Sequence, residues 1–164
     1  MATVVVVRAK VLATREGRLE RLAVAASAAL VLAMIDLDVK RVLTTPWWAY
    51  HHRSLGWAAL CVVLLVFSGI LTRIPSRGVA IGAGIMSGGI LGNLVSARLN
   101  GGSVPDPLLL GNRFRGVAFN LADVFTLTGI VVLITALIVV TIQNRDRLPP
   151  PTRPERWLLR KLRL

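Results

Sequence analysis

Residues 78–97 read GVAIGAGIMSGGILGNLVSA, a stretch of 20 residues without a charged side chain. A helix of about 20 apolar residues is long enough to cross the hydrocarbon core of a bilayer. Glycines recur within this stretch at four-residue spacing, at positions 78 and 82 and at positions 84, 88 and 92. Because residues four apart share one face of a helix, this spacing predicts a face of small residues against which other helices pack closely.

Three more apolar stretches flank this one. Residues 54–72 and 124–144 carry no charge, and residues 22–35 form a shorter run that ends at Asp36. This shorter run resembles the core of a signal peptide, but charged residues follow it where cleavage needs small ones, which favours an uncleaved first helix. With 54% hydrophobic residues, the sequence predicts an all-α integral membrane protein with four transmembrane helices.

The positive charge of the chain is distributed unevenly. The formal net charge is +12, and 14 of the 20 Lys and Arg residues fall in the two termini and the turn between the second and third helices. The positive-inside rule therefore predicts a bundle with both termini in the cytoplasm. We expect basic segments at residues 1–21 and 145–164 to contact anionic lipid headgroups, and we expect no binding to nucleic acid. Residues 22–144 form the predicted membrane domain.

The segments outside the predicted helices have distinct compositions. The first outer loop, Leu43–Arg53, contains aromatic residues and the pair His51-His52, which is typical of a membrane interface. The second outer loop, residues 98–118, contains several glycines and prolines, and we expect it to be irregular. In the tail, residues 157–162 are either a short amphipathic segment on the inner leaflet or part of a solvated disordered tail.

Four acidic residues fall on the predicted outer side, at or near helix ends: Asp36, Asp38, Asp106 and Asp123. An aspartate at the start of a membrane helix is costly, so Asp123 calls for an explanation. A structural explanation is that Asn120 caps the helix and that Asp123 interacts with the helix dipole. A catalytic explanation is that Asp123 pairs with Asp106, because two carboxyl groups that share a proton are the working state of an aspartic protease.

Such a pair needs no metal and no cofactor. The ionised carboxylate removes a proton from water, which attacks a peptide carbonyl, while the protonated carboxyl group polarises that carbonyl. Other chemistries fit less well. The pair His51-His52 lacks the spacing of a zinc protease, and nothing in the local sequence supports a dyad of Ser96 and Lys40. The charge-free helices argue against a transporter subunit, and Cys61 is interpreted as a small buried apolar residue.

Four motifs follow one another along the chain: Asp36-Leu37-Asp38-Val39-Lys40, Gly88-Gly89-Ile90-Leu91-Gly92-Asn93-Leu94, Val104-Pro105-Asp106 and Phe119-Asn120-Leu121-Ala122-Asp123. In this order they resemble the Asp-x-x-x-Lys, Gly-Gly-x-x-Gly-Asn, Val-x-Asp and Phe-Asn-x-Ala-Asp motifs of lipoprotein signal peptidase (signal peptidase II). That family consists of four-helix membrane aspartic proteases of the bacterial cytoplasmic membrane. The resemblance covers the chain from about residue 29 to residue 142.

The resemblance implies an activity and a set of site residues. The family removes signal peptides from prolipoproteins, cutting just before a cysteine that carries diacylglycerol. Asp106 and Asp123 would be the catalytic dyad. The residues that support the dyad or bind the substrate would be Asn93, Arg98, Asn120, Asp36 and Lys40.

The chain departs from the family pattern in three places. Ser96 stands near the position where the third-helix motif has an aspartate, and Arg98 matches that motif only if one residue is inserted. The first outer loop is too short for the family's Asn-x-Gly-x-Ala-Phe segment, and Pro107 replaces a phenylalanine. These departures leave an alternative open, a non-catalytic relative that binds or scaffolds lipid-modified membrane proteins.

Overall fold

The computed structural model describes residues 15–111, 116–145, 157 and 161. In these residues the chain is mostly helical, with α1 at Arg15–Val42, α2 at Leu55–Leu71, α3 at Arg77–Leu99 and α4 at Leu121–Gln143. Short strands lie between the helices: β1 at Tyr50–His52, β2 at Ser103–Pro105, β3 at Leu108–Leu110 and β4 at Val117–Phe119. The prediction of a helical protein is therefore confirmed, with strands confined to the connections.

Three of these helices are long and apolar enough to cross a membrane, namely α1, α3 and α4. The remaining helix, α2, is apolar but only 17 residues long. Large apolar side chains such as Leu30 on α1, Phe67 on α2 and Ile134 on α4 are exposed at the surface of the bundle. Such a surface is typical of helices that face lipid, and it supports a multi-pass membrane protein.

The first helix is longer than its apolar run. It includes residues 15–21 of the predicted basic N-terminal segment, and it continues through Asp36 and Lys40 to Val42. Residues 1–14 and most of the predicted tail lie outside the described residues. In the tail, Trp157 and Lys161 are both helical, and the Lys161 Nζ lies 4.7 Å from the centroid of the Trp157 ring.

The glycines of α3 allow the other helices to approach closely. A Cβ added to Gly82 would lie 2.6 Å from the backbone nitrogen of Leu133 on α4. A Cβ added to Gly84 would lie 2.7 Å from the backbone oxygen of Ala25 on α1. The predicted face of small residues is therefore confirmed, and α3 packs most extensively against α1 and α4.

Polar groups collect at the two ends of the bundle, where the ends of consecutive helices meet. At one end, the Arg21 Nε donates a hydrogen bond to the Thr72 carbonyl oxygen at 2.9 Å, and Arg77 pairs with Glu20 at 2.5 Å. At the other end, the last turns of α1 and α3 meet the first turn of α4 and the loops that contain the strands. The candidate site lies at this second end.

The loops at this end are more regular than the sequence predicted. Strand β1 pairs antiparallel with β2, which places His51 opposite Val104, and β3 pairs antiparallel with β4. The expectation of an irregular second loop was therefore wrong for these strands. Gly101 and Gly102 have positive φ angles of 61° and 90°, a conformation that glycine adopts without strain, and they turn the chain from α3 into β2.

Candidate active site

Helix α4 begins with a capping box formed by Asn120 and Asp123. The Asn120 Oδ1 accepts a hydrogen bond from the Asp123 backbone N–H at 3.0 Å, and the Asp123 Oδ2 accepts one from the Asn120 backbone N–H at 3.3 Å. Two helix-terminal N–H groups are satisfied in this way. The prediction that Asn120 caps the helix is thus confirmed, and the cap fixes the Asp123 carboxylate at the start of the helix.

The same asparagine contacts the second aspartate of the predicted pair. The Asn120 Nδ2 donates a hydrogen bond to the Asp106 Oδ1, and both side chains are buried. Asp106 directly follows β2, and its backbone N–H donates to the Ala49 carbonyl oxygen at 3.0 Å. Asn120 therefore links Asp106 and Asp123. Within the described ranges, no direct hydrogen bond joins the two carboxyl groups.

A chain of hydrogen bonds connects Asp123 to the end of α1. The Asn93 Nδ2 donates to the Asp123 Oδ1 at 2.9 Å, and the Asn93 Oδ1 accepts from the Lys40 Nζ at 2.8 Å. Lys40 also pairs with the Asp36 Oδ2 at 2.7 Å. The other oxygen of Asp36 accepts a hydrogen bond from the Ala122 backbone N–H at 2.8 Å. Residues from α1, α3 and α4 thus form one network.

The network contains more acidic groups than basic ones. The Lys40 ammonium group is bonded to Asp36 and is also attracted to the charges of Asp123 and Asp106. One ammonium group among three carboxyl groups leaves an excess of negative charge when all of them are ionised.

His51 provides Asp106 with a partner that the sequence analysis did not identify. The His51 Nδ1 lies 2.5 Å from the Asp106 Oδ2, and the imidazole is 50% exposed whereas the Asp106 side chain is 2% exposed. Burial raises the pKa of Asp106, and the hydrogen bonds from His51 and Asn120 oppose this rise. The available sequence signal was the position of His51 on the same predicted outer side as the aspartates.

Arg98 lies outside this network. It is exposed on the last turn of α3, and its side chain makes no hydrogen bond or ion pair with any residue that the structure describes. Of the seven predicted site residues, the structure brings six together: Asp36, Lys40, Asn93, Asp106, Asn120 and Asp123. In residues 15–111 and 116–145, no three His, Cys, Asp or Glu side chains are arranged to hold a metal ion.

A cavity of about 340 Å³ borders the network between α2, α3 and α4. Asn93 and Asp123 line one side of it, and apolar side chains such as Leu60 and Leu127 line much of the remainder. At its edge the Arg53 guanidinium lies 5.4 Å from the centroid of the Trp57 ring, within the range of a cation–π contact. The cavity therefore places a carboxylate beside space suited to an apolar ligand.

Residues 41–139, more than half of the chain, match the family model described as signal peptidase (SPase) II. The chain belongs to the signal peptidase II family. No curated protein and no solved structure matches the chain significantly. Membership of the signal peptidase II family supports a peptidase with a role in lipoprotein processing at a membrane.

The signal peptidase II match and the hydrogen-bond network overlap incompletely. The matched residues include Asn93, Asp106, Asn120 and Asp123, whereas Lys40 and Asp36 precede them in the chain. The inclusion of Lys40 and Asp36 in the candidate site therefore depends on their hydrogen bonds to Asn93 and Ala122.

Proposed function

We propose that this member of the signal peptidase II family is a membrane-embedded aspartic endopeptidase whose catalytic dyad is Asp106 and Asp123. The observation that carries the proposal is the position of Asn120, which bonds to the side chain of Asp106 and to the backbone N–H of Asp123. The Asp123 carboxylate in turn accepts the Asn120 backbone N–H, so both carboxyl groups are bonded to Asn120, which supports the proximity that activation of water by a pair of carboxyl groups requires.

The environments of the two aspartates support different roles. Asp106 is buried, and burial raises its pKa, which suits the carboxyl group that keeps the shared proton and polarises the peptide carbonyl. Asp123 accepts hydrogen bonds from the Asn93 amide and the Asn120 backbone N–H at a helix N-terminus, which suits the carboxylate that takes a proton from water.

The proposed substrates are prolipoproteins whose cysteine, directly after the cleaved bond, carries diacylglycerol. The cavity beside Asp123 is lined largely by apolar side chains, which suits a substrate that is apolar around the cleaved bond. A site within the bilayer also means that the lipid need not leave the membrane during cleavage.

The proposed topology has four membrane-crossing helices, with both termini in the cytoplasm of a bacterial cell and the dyad near the outer face of its cytoplasmic membrane. The domains proposed from the sequence are a basic segment at residues 1–21, the membrane domain at 22–144 and a basic tail at 145–164. We propose that the basic segments contact anionic lipid headgroups. Arg21 and Arg77, at the end of the bundle opposite the dyad, agree with this orientation.

A cleavage assay with purified protein tests the proposal. In proteoliposomes, the protein should cleave a synthetic prolipoprotein peptide with a diacylglyceryl cysteine, and Asp106→Asn and Asp123→Asn should each lower the rate ~10³-fold or more. The matched control is Asp38→Asn. Asp38 lies on α1 at the same end of the bundle as the dyad, and its side chain is 70% exposed. We expect this control to retain full activity, and unimpaired cleavage by both dyad variants would overturn the proposal.

The exposed position of Arg98 favours a second candidate, a non-catalytic relative that binds or scaffolds lipid-modified membrane proteins. In the family pattern this arginine supports the site, whereas here it lies outside the network. The same assay separates the two functions. A non-catalytic relative would bind the lipidated peptide and leave it intact. The peptide would stay intact with the Asp106→Asn variant as well.

A further inference from the structure

We propose that His51 is a positioning residue that holds the Asp106 carboxyl group in place and sets the pH range over which this group carries a proton. The inference rests on the proposed role of Asp106 in the catalytic dyad. It concerns the first outer loop, a part of the chain to which the sequence analysis assigned no role in the site.

The backbone places His51 and Asp106 side by side. Strand β1 pairs with β2 so that His51 lies opposite Val104, two residues before Asp106. The Asp106 backbone N–H bonds to the carbonyl oxygen of Ala49, two residues before His51. Hydrogen bonds thus fix the chain on both sides of the side-chain contact. The Nδ1–Oδ2 distance of 2.5 Å is that of a hydrogen bond between the two side chains.

The two partners differ in their contact with solvent. The Asp106 side chain is buried, whereas half of the His51 ring is exposed. The buried Asp106 carboxyl group has little contact with bulk solvent, whereas the His51 ring presents its exposed half to it. When His51 gains a proton, its positive charge stabilises the ionised form of Asp106. His51 therefore connects the buried Asp106 carboxyl group to the surface.

The charged groups around this pair come from several elements. From the start of α4, Asp123 faces Asp106, and from α1 the cation Lys40 faces it together with Asp36, to which Lys40 is bonded. Asn120 contributes a neutral amide to Asp106. After His51 in the chain come His52, which is exposed, and Arg53, which lies over the Trp57 ring. Since Lys40 is already bonded to Asp36 and Asn93, His51 is the titratable group that bonds directly to Asp106.

Loss of the His51 side chain should shift the pH profile of cleavage to higher pH. Removal of His51 takes away a hydrogen-bond donor to the ionised form of Asp106, so the protonated form becomes relatively more stable. The pKa of Asp106 should then rise further, and the pH profile of cleavage should move to higher pH. The rate should fall by about 10- to 100-fold because the carboxyl group is no longer held in place.

Two variants separate positioning from protonation. In His51→Asn, the amide nitrogen is attached to Cγ as Nδ1 is, so it can donate the same hydrogen bond but cannot become charged. We expect His51→Ala to show both the lower rate and the shifted pH profile. His51→Asn should recover most of the rate at its optimum, while its profile stays displaced to higher pH. A role limited to loop structure predicts full recovery with the wild-type pH profile.

The adjacent histidine is the matched control. His52 lies on the same strand and is exposed, and its side chain points to the opposite face from that of His51. We expect His52→Asn to leave both the rate and the pH profile of cleavage unchanged. A shift as large as that of His51→Asn would mean that the effect belongs to the loop in general, which would overturn the proposal.

A second measurement does not depend on activity. The chain contains two histidines, so His52→Asn leaves His51 as the source of the imidazole signals in untagged protein labelled with ¹⁵N-histidine. At fixed pH, Asp106→Asn in this background should change the Nδ1 chemical shift, because Nδ1 loses its carboxylate partner. Asp38→Asn should not change it. An unchanged Nδ1 shift in the Asp106→Asn protein would overturn the proposal.

Failure of this inference can be told apart from failure of the proposed function. If Asp106→Asn and Asp123→Asn both still cleave the prolipoprotein peptide, then the catalytic dyad is wrong, whatever the His51 variants do. If both dyad variants are inactive and His51→Ala has the wild-type pH profile, then the dyad stands and the role of His51 is wrong.

Discussion

The carboxylate of Asp36 accepts a hydrogen bond from the backbone N–H of Ala122 at 2.8 Å, so the end of α1 is attached to the first turn of α4. Asp36 is fully buried, and its second oxygen is paired with Lys40. The next residue after Ala122 is Asp123. The location of one predicted catalytic carboxyl group therefore depends on a contact made by the first helix.

Replacement of Asp36 should destabilise the fold strongly. Asp36→Ala leaves the Lys40 ammonium group buried without its partner, and breaking a buried ion pair in this way costs about 3–5 kcal/mol. Thermal unfolding in detergent micelles, followed by circular dichroism, measures the effect. The control is Asp38→Ala, which removes an exposed carboxylate two residues away and should change stability by less than about 0.5 kcal/mol. Equal midpoints for the two variants would contradict the structural role of Asp36.

The close packing of α3 against α4 leads to a prediction at Gly82. In Gly82→Ala, the new methyl group would lie 2.6 Å from the Leu133 backbone nitrogen, so the helices must move apart, at a cost of about 1–3 kcal/mol. At Gly69 on α2, an added Cβ would meet no other atom within 4 Å. Gly69→Ala should therefore leave stability unchanged or increase it, since alanine favours a helix. Unfolding midpoints that rank the two variants in the opposite order would refute this description of the interface.

Filling the cavity should weaken substrate binding more than it slows the chemical step. Leu60 lines the cavity on α2, and Leu60→Trp places a larger side chain at its wall. We expect kcat/KM for the lipidated peptide to fall about 10-fold, chiefly through KM, because the variant leaves the two aspartates unchanged. Leu30→Trp on the exposed surface of α1 is the control and should have wild-type kinetics. A large loss of kcat with unchanged KM would show that the cavity is not the binding site.

The number of membrane crossings can be tested at the two ends of α2. In a Cys61→Ser background, which removes the natural cysteine, a single new cysteine is introduced by His52→Cys just before α2 or by Arg73→Cys just after it. Both positions are exposed. In the proposed topology, a membrane-impermeant maleimide labels the first variant in intact spheroplasts and the second only after the membrane is opened. Labelling of both variants in intact spheroplasts would show that α2 does not cross the membrane.

The sequence predicted the features that local patterns control. Charge-free runs located the helices, and the four-residue spacing of glycines predicted close packing on α3, which Gly82 makes with α4 and Gly84 with α1. Asn120 was predicted to cap α4 and Asp123 to lie in its first turn, because these features depend on four consecutive residues. The catalytic and supporting roles assigned to the site residues stay predictions, although six of the seven residues lie in one network.

The features that the sequence did not predict depend on contacts between distant segments. His51 and Asp106 are 55 residues apart, and they meet because two three-residue strands pair. Strands of this length are too short to show the alternating pattern by which a strand is recognised. The position of Arg98 depends on which face of the last turn of α3 is covered, which the motif spacing alone does not specify.

In the proposed mechanism, the pairing of β1 with β2 also affects the entropy of substrate binding. In a free loop, Asp106 would sample many positions, and a substrate would have to immobilise it at the expense of binding free energy. Here the backbone hydrogen bonds to Ala49 and Arg53 restrict this segment before any ligand arrives. The short first loop therefore preorganises the Asp106 segment, and more of the interaction free energy with the substrate is left for binding and catalysis.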